Sequence, residues 1–401
     1  MAIRRTLLRL AVIGLMPMLL AGCWSRLEVN DRLFVSVMYV DAGADEGEVK
    51  LTLGFALPNR MTSIQQGIAG GGGNPYGTMS NTGPSIAVAF RRIQANIPRQ
   101  INWGHTRVVV IGDKLARQGI RPVLEFITRQ PAMQLKGFIF IAQGEAHRLS
   151  MVTPIMERFP SEILRELAAQ KSIMNTTARD LLMSEPFEGD GLIGRISVDE
   201  VRLISEKGKK GLTLNNIGTG ILRNEKLVGY LSASEQRGAM WVKDQMENAL
   251  VTIQSPTDGQ SIDLYVNQAS TRIKLKQEGE RVRIRISVRA TDDVYSSNSA
   301  LDFQDPQQIR QIQQALNEQL KERIERALER SQQLGADYFQ FGSYMEWYLP
   351  SLWKQWKMDW RRHYEEDVIF EVVPEAKVAR TGAIRSSYWK PITPEEGKEQ
   401  R

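Results

Sequence analysis

The chain of 401 residues holds one cysteine, Cys23, which excludes any internal disulfide and any cysteine-rich zinc site. The folded body must therefore be held by packing and hydrogen bonds, and the thiol needs a reason of its own. Its position supplies one. "MAIRRTLLRL" is a positively charged start, "LAVIGLMPMLLA" is an apolar run of 12 residues, and small residues lead up to Cys23. At about 1.5 Å per residue such a run reaches roughly 18 Å, short of the about 30 Å of a hydrocarbon core. The segment targets the chain and does not span a bilayer. Leu20-Ala21-Gly22-Cys23 reads as a bacterial lipobox, with signal cleavage between Gly22 and Cys23 and a diacylglycerol plus an N-acyl lipid on Cys23. The bland alternative is a buried cysteine in an uncleaved signal anchor. No later stretch approaches 18 uninterrupted apolar residues, so a water-soluble body tethered outside the cytoplasmic membrane is expected.

Charge gives little toward a partner. Arg4, Arg5 and Arg9 of the leader account for half of the formal +6, and the near-neutral remainder argues for no nucleic acid. With 42% hydrophobic and 24% charged residues the composition is that of an ordinary globular chain.

Period-2 alternation in "RLFVSVMYVD" (32–41) and "EVKLTLGFAL" (48–57) predicts a β-hairpin. A glycine-rich interval, 65–84, follows; it lacks the Gly-Lys-Ser/Thr of a phosphate loop and reads as a flexible surface loop. Ser85 is placed to cap a helix with Ile86, Phe90, Ile93 and Ile97 on one face. "TRVVVIG" (106–112) and "KGFIFIA" (136–142) read as strands flanking a helix over 113–127, and "GEAHRLSMVTP" opens a further helical stretch. This alternation implies a mixed sheet covered by helices.

The second half changes texture. Segments 194–205, 212–222 and 226–233 read as a meander with Asn224 and Glu225 at a hairpin turn. In "RVRIRISVRA" (281–290), Val282, Ile284, Ile286 and Val288 alternate with arginines, one face core and the other wet. Arg283 and Arg285 of that comb could meet phosphates or a partner, though a solvated sheet face explains them as well. A long amphipathic helix over 306–334 is capped by Asp305, carries Pro306 in its first turn and stops at Gly335. A second helix over 351–365 puts Trp353, Trp356, Trp360 and Tyr364 on one ridge, either core or a partner-docking surface. A final strand is expected over 367–384. No nucleophile elbow, His-Glu-x-x-His, Walker loop or Cys-His pair occurs, and His105, His147 and His363 read as packing or hydrogen-bonding residues. No metal, cofactor or enzymatic activity is expected.

"CWSRLEVNDRLFVSVMYVD" resembles the mature start of the Ger(x)C family, the lipoprotein C subunits of spore germinant receptors, through Cys23, Trp24 and Glu28, with Ser25 where an acid is usual. The similarity continues through "WGHTRVVVIGDKLARQGI", "GTGILRNEKLVGYLSASEQRGAMWV" with Glu235, Arg237, Gly238 and Trp241, "GADYFQFGSYMEWYLPSLWKQW" and "RTGAI". The resemblance implies an α+β, mixed α/β lipoprotein of three domains, with mixed and antiparallel sheets packed by helices. Its place would be the outer face of the inner spore membrane, beside membrane-embedded A- and B-type subunits. The expected division is a signal peptide over 1–22 and an N-terminal region over 23–200 of two α/β subdomains. A C-terminal unit over 201–390 would hold the meander, both helices and the last strand, before a flexible tail over 391–401. The rival readings are a lipid-anchored solute-binding protein serving a nutrient permease, which needs a ligand cleft, and a cell-wall hydrolase, which needs an acid/base pair in a groove.

Overall fold

The computed structural model describes residues 28–57, 60, 74–152, 154, 157–203 and 209–381. Gly22, Cys23, the rest of the leader, residues 65–73 of the glycine-rich interval and the tail at 391–401 lie outside the described residues, while Tyr76–Gly83 of that interval is a strand and not the expected loop.

Two sheets organise the described residues. The first has nine strands: β1 (Arg32–Ala42), β2 (Val49–Ala56), β3 (Tyr76–Gly83), β4 (Gln100–Asn102), β5 (Val108–Gly112), β6 (Phe138–Ala142), β7 (Gly191–Leu203), β8 (Lys209–Arg223) and β9 (Lys226–Leu231). They run in the order β3-β2-β1-β5-β6-β7-β8-β9, with β4 beside the start of β1. The pairings β1/β5, β5/β6 and β6/β7 are parallel, as is the short β1/β4 pairing, and the others are antiparallel. The expected hairpin is β1/β2, with Met38 opposite Leu53. "VVVIG" of β5 is buried at every position because helices cover both faces, the situation that favours unbroken apolar strands.

One face is covered by α1 (Ile86–Ala95), α2 (Asp113–Gln118), α3 (Arg121–Arg129) and α5 (Ala178–Ser184); the other by α4 (Pro160–Ala169) and a 3-10 turn, Ala146–Met151. Ser85 does cap α1, its hydroxyl accepting from the Val88 N–H at 3.3 Å. The single helix expected over 113–127 is two: Gly119, at φ +137°, takes a conformation closed to other residues, and Pro122 restarts the coil in the first turn of α3. Asn224 and Glu225 form the β8/β9 turn with φ of 50° and 59°.

The second sheet, in the order β10 (Ala249–Gln254), β11 (Ser261–Glu278), β12 (Arg281–Ser297), β13 (Val368–Arg380), is antiparallel except for β12/β13. Val282, Ile284, Ile286 and Val288 of β12 are fully buried against α7 (Pro306–Gln333) and α6 (Ala233–Val242). The Asp305 carboxylate caps α7 by accepting from the Gln307 N–H at 2.8 Å, and Gly335, at φ +54°, ends it. Ile312, Leu316, Leu320, Ile324 and Leu328 line its buried stripe, each worth about 1.5–3 kcal/mol when fully removed from water.

Two expectations need correction. The meander grouped with the C-terminal half is hydrogen-bonded into the first sheet as β7, β8 and β9, because β7 pairs in parallel with β6. The tryptophan helix is broken into α9 (Pro350–Trp356), a 3-10 turn (Lys357–Asp359) and α10 (Trp360–Glu366), preceded by α8 (Phe341–Tyr348).

Candidate functional site: the seam between the sheets and its aromatic ridge

The seam forms where β7 begins. Asp190, just before it, is 2% exposed and would be prohibitively placed without partners. It has four. Its carboxylate accepts from the backbone N–H of Asn224 at 3.0 Å and of Asp337 at 2.9 Å, and from both terminal nitrogens of Arg361 at 3.0 Å each. Arg361 also donates to the Asn224 side chain at 2.6 Å and reaches Glu188 and the Gly335 carbonyl. Desolvation pushes the Glu188 carboxyl up, with Arg361 acting against it. The β8/β9 turn is held from its other side by Arg121, which donates to Glu225 at 2.6 Å.

Asp337 stands behind this pair and organises α8. Its oxygens accept from the Phe341 and Gly342 N–H groups at 2.8 and 2.7 Å and from the Trp360 indole at 3.1 Å. Burial nevertheless lifts its carboxyl to about 7. Together these groups weld the first sheet to the aromatic helices of the second. They are a structural junction: every polar atom named is already committed to a neighbour.

The three expected docking tryptophans belong to that weld. Trp353, Trp356 and Trp360 are 7%, 6% and 2% exposed, in the core with Phe187 and Tyr364, so as folded they offer no docking surface. Trp356 stacks on His363 with ring centres 4.3 Å apart. Exposed aromatics do occur one helix earlier: Trp347 and Tyr348 at the end of α8 are 65% and 60% exposed, and both rings lie against Tyr344. Trp347 also borders a crevice of about 440 Å³ at the seam, with Met183, Phe187 and Tyr344 on its walls and Lys243 lining it. Burial pulls the Lys243 ammonium down, opposed by Asp180 and Asp337.

The arginine comb is on the wet face of β12, and strand register largely neutralises it. Arg285 and Arg289 lie opposite Glu371 and Glu375 of β13, with nitrogen–oxygen distances of 3.6 and 2.9 Å, and Arg283 pairs with Glu278 at 2.9 Å. The comb is thus a cross-strand ion-pair ladder in which Arg283 and Arg285 are already engaged.

Among the described residues two His–Asp pairs are reminiscent of a dyad, His147 with the buried Asp41 at 3.2 Å and His363 with Asp367 at 2.6 Å. Asp41 is used structurally, accepting from the Ala146 and His147 backbone N–H groups at 2.5 and 3.0 Å to cap the 3-10 turn. Among the described residues no cluster of three or more metal-ligating side chains occurs, and no helix is long and apolar enough to cross a membrane.

Residues 25–186 match the family described as "Spore germination protein N-terminal domain", and residues 217–382 that described as "Spore germination B3/ GerAC like, C-terminal". The chain is 25% identical over 391 residues to the putative spore germination protein YfkR of Bacillus subtilis (strain 168), covering 95% of this chain and 98% of that one. It is 22% identical over 389 residues to spore germination protein B3 of the same organism, covering 92% and 98%. The crystal structure of the GerBC protein superposes with a TM-score of 0.53 at 18% identity, covering 85% of this chain and 96% of that one, which establishes a shared fold.

Proposed function

Since the chain belongs to the GerAC-like family of spore germination proteins, we propose that it is the lipid-anchored C-type subunit of a nutrient germinant receptor. It is read as a non-enzymatic body on the outer face of the inner spore membrane, docked on the membrane-embedded A- and B-type subunits. The observation that carries the proposal is one of order along the chain. The family match begins at residue 25, two positions after the cysteine of Leu20-Ala21-Gly22-Cys23, so the lipobox sits where a tether for this fold is needed.

The anchor has a physical purpose. At about 0.8 kcal/mol per buried methylene, the two chains of a diacylglycerol hold the body far more firmly than one. Confinement to the bilayer then makes meeting the membrane subunits a local event at raised effective concentration. Within the folded body, Trp347 and Tyr348 are the residues we assign to contact with those partners, since large exposed aromatics are the side chains that anchor interfaces.

Cys23→Ala tests the tether. The variant body should leave the membrane fraction, and receptor abundance and the nutrient response should fall with it. A variant that stays in the membrane fraction and germinates at the unaltered rate would refute the proposal.

A further inference from the structure

Two concavities differ in their charge accounting. One, of about 920 Å³, runs beside α3: its Arg121 lies against Glu225 and Glu185 and its Arg129 against Glu125, which leaves Lys226 as its single basic side chain without an ion pair among the described residues. The other, of about 680 Å³, opens where β1, β5 and β6 begin and α4 starts. Its walls carry Phe34, Phe138 and Phe159, all half-buried, and its basic side chains are Arg107, Lys136 and Arg165.

Arg165 is bound to Glu166, and the acid on the wall, Glu162, accepts from the Arg158 backbone N–H at 3.2 Å. Arg107 and Lys136 are different: among the described residues neither side chain has a hydrogen bond or an ion pair. Nor is Arg107 on a loose loop. Its N–H donates to the Ser36 carbonyl at 3.2 Å and its carbonyl accepts from the Phe138 N–H at 2.8 Å, pinning it between β1 and β6. The ten-residue α4 presents its first turn here, and Phe159, its N-cap, supplies no side-chain acceptor for that turn. Glu162, in that first turn, offsets the partial positive charge of the helix start, so the groove's anion attraction rests on the two uncommitted cations.

Apolar walls with a few convergent polar groups, at a volume within the usual range of about 300–1,000 Å³, are what a small-ligand site requires. We infer that this groove binds an amphiphilic anion. The apolar body lies on Phe34, Phe138 and Phe159, and one carboxylate or phosphate head meets the Arg107 fork and the Lys136 ammonium. Such a head has two sources, a free organic acid or an anionic phospholipid. The inference concerns the folded body and stands apart from the anchor at Cys23, so its failure would leave the receptor assignment in place.

The test is calorimetric titration of the full chain in nonionic detergent with 3-phenylpropionate and, separately, with monomeric dihexanoylphosphatidylglycerol. Partition into the micelle is common to all variants, so differences between variants isolate the groove. One of the two probes should saturate, and which one does identifies the source. Arg107→Ala with Lys136→Ala should weaken it at least tenfold at unchanged Tm, and the neutral 3-phenylpropan-1-ol should bind at least tenfold more weakly than the acid. The inference is overturned if neither probe saturates, if the double variant binds the saturating probe undiminished, or, where the acid is the probe that saturates, if the alcohol equals it.

Discussion

Arg361 closes on Asp190 with both arms of its guanidinium, at 3.0 Å each, across 171 residues of sequence. The pair ties α10, in the core of the four-stranded sheet, to the first residue before β7 of the nine-stranded sheet. Because Asp190 also accepts the Asn224 and Asp337 amides, one carboxylate sets the position of three segments at once. The relative placement of the two sheets is thus specified by directed polar contacts as well as by apolar contact along the seam.

Removing one partner should therefore cost far more than losing a surface ion pair. Arg361→Met keeps the length of the side chain but strands Asp190 at 2% exposure, a situation worth about 3–5 kcal/mol of destabilisation. Arg129→Ala, which breaks an exposed pair with Glu125, should change stability by less than about 0.5 kcal/mol. Denaturant midpoints of the two variants check the contrast; equal, small shifts would mean the seam is held by packing.

Asp292 on β12 predicts a pH dependence. It is 1% exposed, neither oxygen has a hydrogen-bond partner among the described residues, and burial, with Asp293 beside it, lifts its carboxyl to about 7. In the unfolded chain the same group titrates near about 3.9. The folded state thus retains a proton that the unfolded state gives up. Its contribution is most favourable below about pH 4, falls as pH rises through the window and levels off above about 7. Asp292→Asn should remove this slope, so the variant gains on the wild type progressively between pH 4 and 7, by a few kcal/mol in all. Urea midpoints of both proteins across that range measure it; a gap that shrinks as pH rises would refute the assignment.

At Gly238 helix propensity and packing give opposite signs. Alanine is favoured over glycine in a helix interior by about 1 kcal/mol. Here a Cβ would lie 1.9 Å from the Arg323 carbonyl oxygen of α7, a backbone atom that cannot swing aside. Gly238→Ala should therefore destabilise by at least about 1–3 kcal/mol, the range for overpacking. Thermal unfolding decides the sign.

What the sequence yielded, and what it withheld, follows from the range of the forces involved. The α7 boundaries rest on Asp305, Pro306 and Gly335, and the β8/β9 turn on Asn224 and Glu225, all local chemistry. The alternation in β12 likewise reports its own two faces. In contrast, assignment of β7 to the first sheet depends on a parallel pairing with β6, Phe140 opposite Gly194, 54 residues away in sequence, that leaves no local mark. The 18-residue β11 escapes patterning because a bulge after Val266 shifts its apolar phase from Ile262, Leu264 and Val266 to Ile273 and Leu275. Arg107 and Lys136 meet only because β5 and β6 run side by side. The tryptophan ridge was legible as a face, but a three-four spacing does not say whether a neighbour covers it; α8, folding back under Asp337, does so.

That covering gives a paired prediction for the two aromatic groups. Trp353 is 7% exposed and packs against Phe187 and Trp360, with ring centres 5.8 and 5.4 Å away, so Trp353→Ala should cost about 3–5 kcal/mol and lower the yield of folded chain. Trp347, at 65% exposure, loses little on truncation, and Trp347→Ala should leave Tm within a degree or two. If α8 carries the contact with the membrane subunits, the stable variant is the one that fails: Trp347→Ala should co-purify with them poorly from spore membranes while remaining folded and lipidated. A Trp347→Ala chain recovered with its partners in undiminished amount would remove this ridge from the interface.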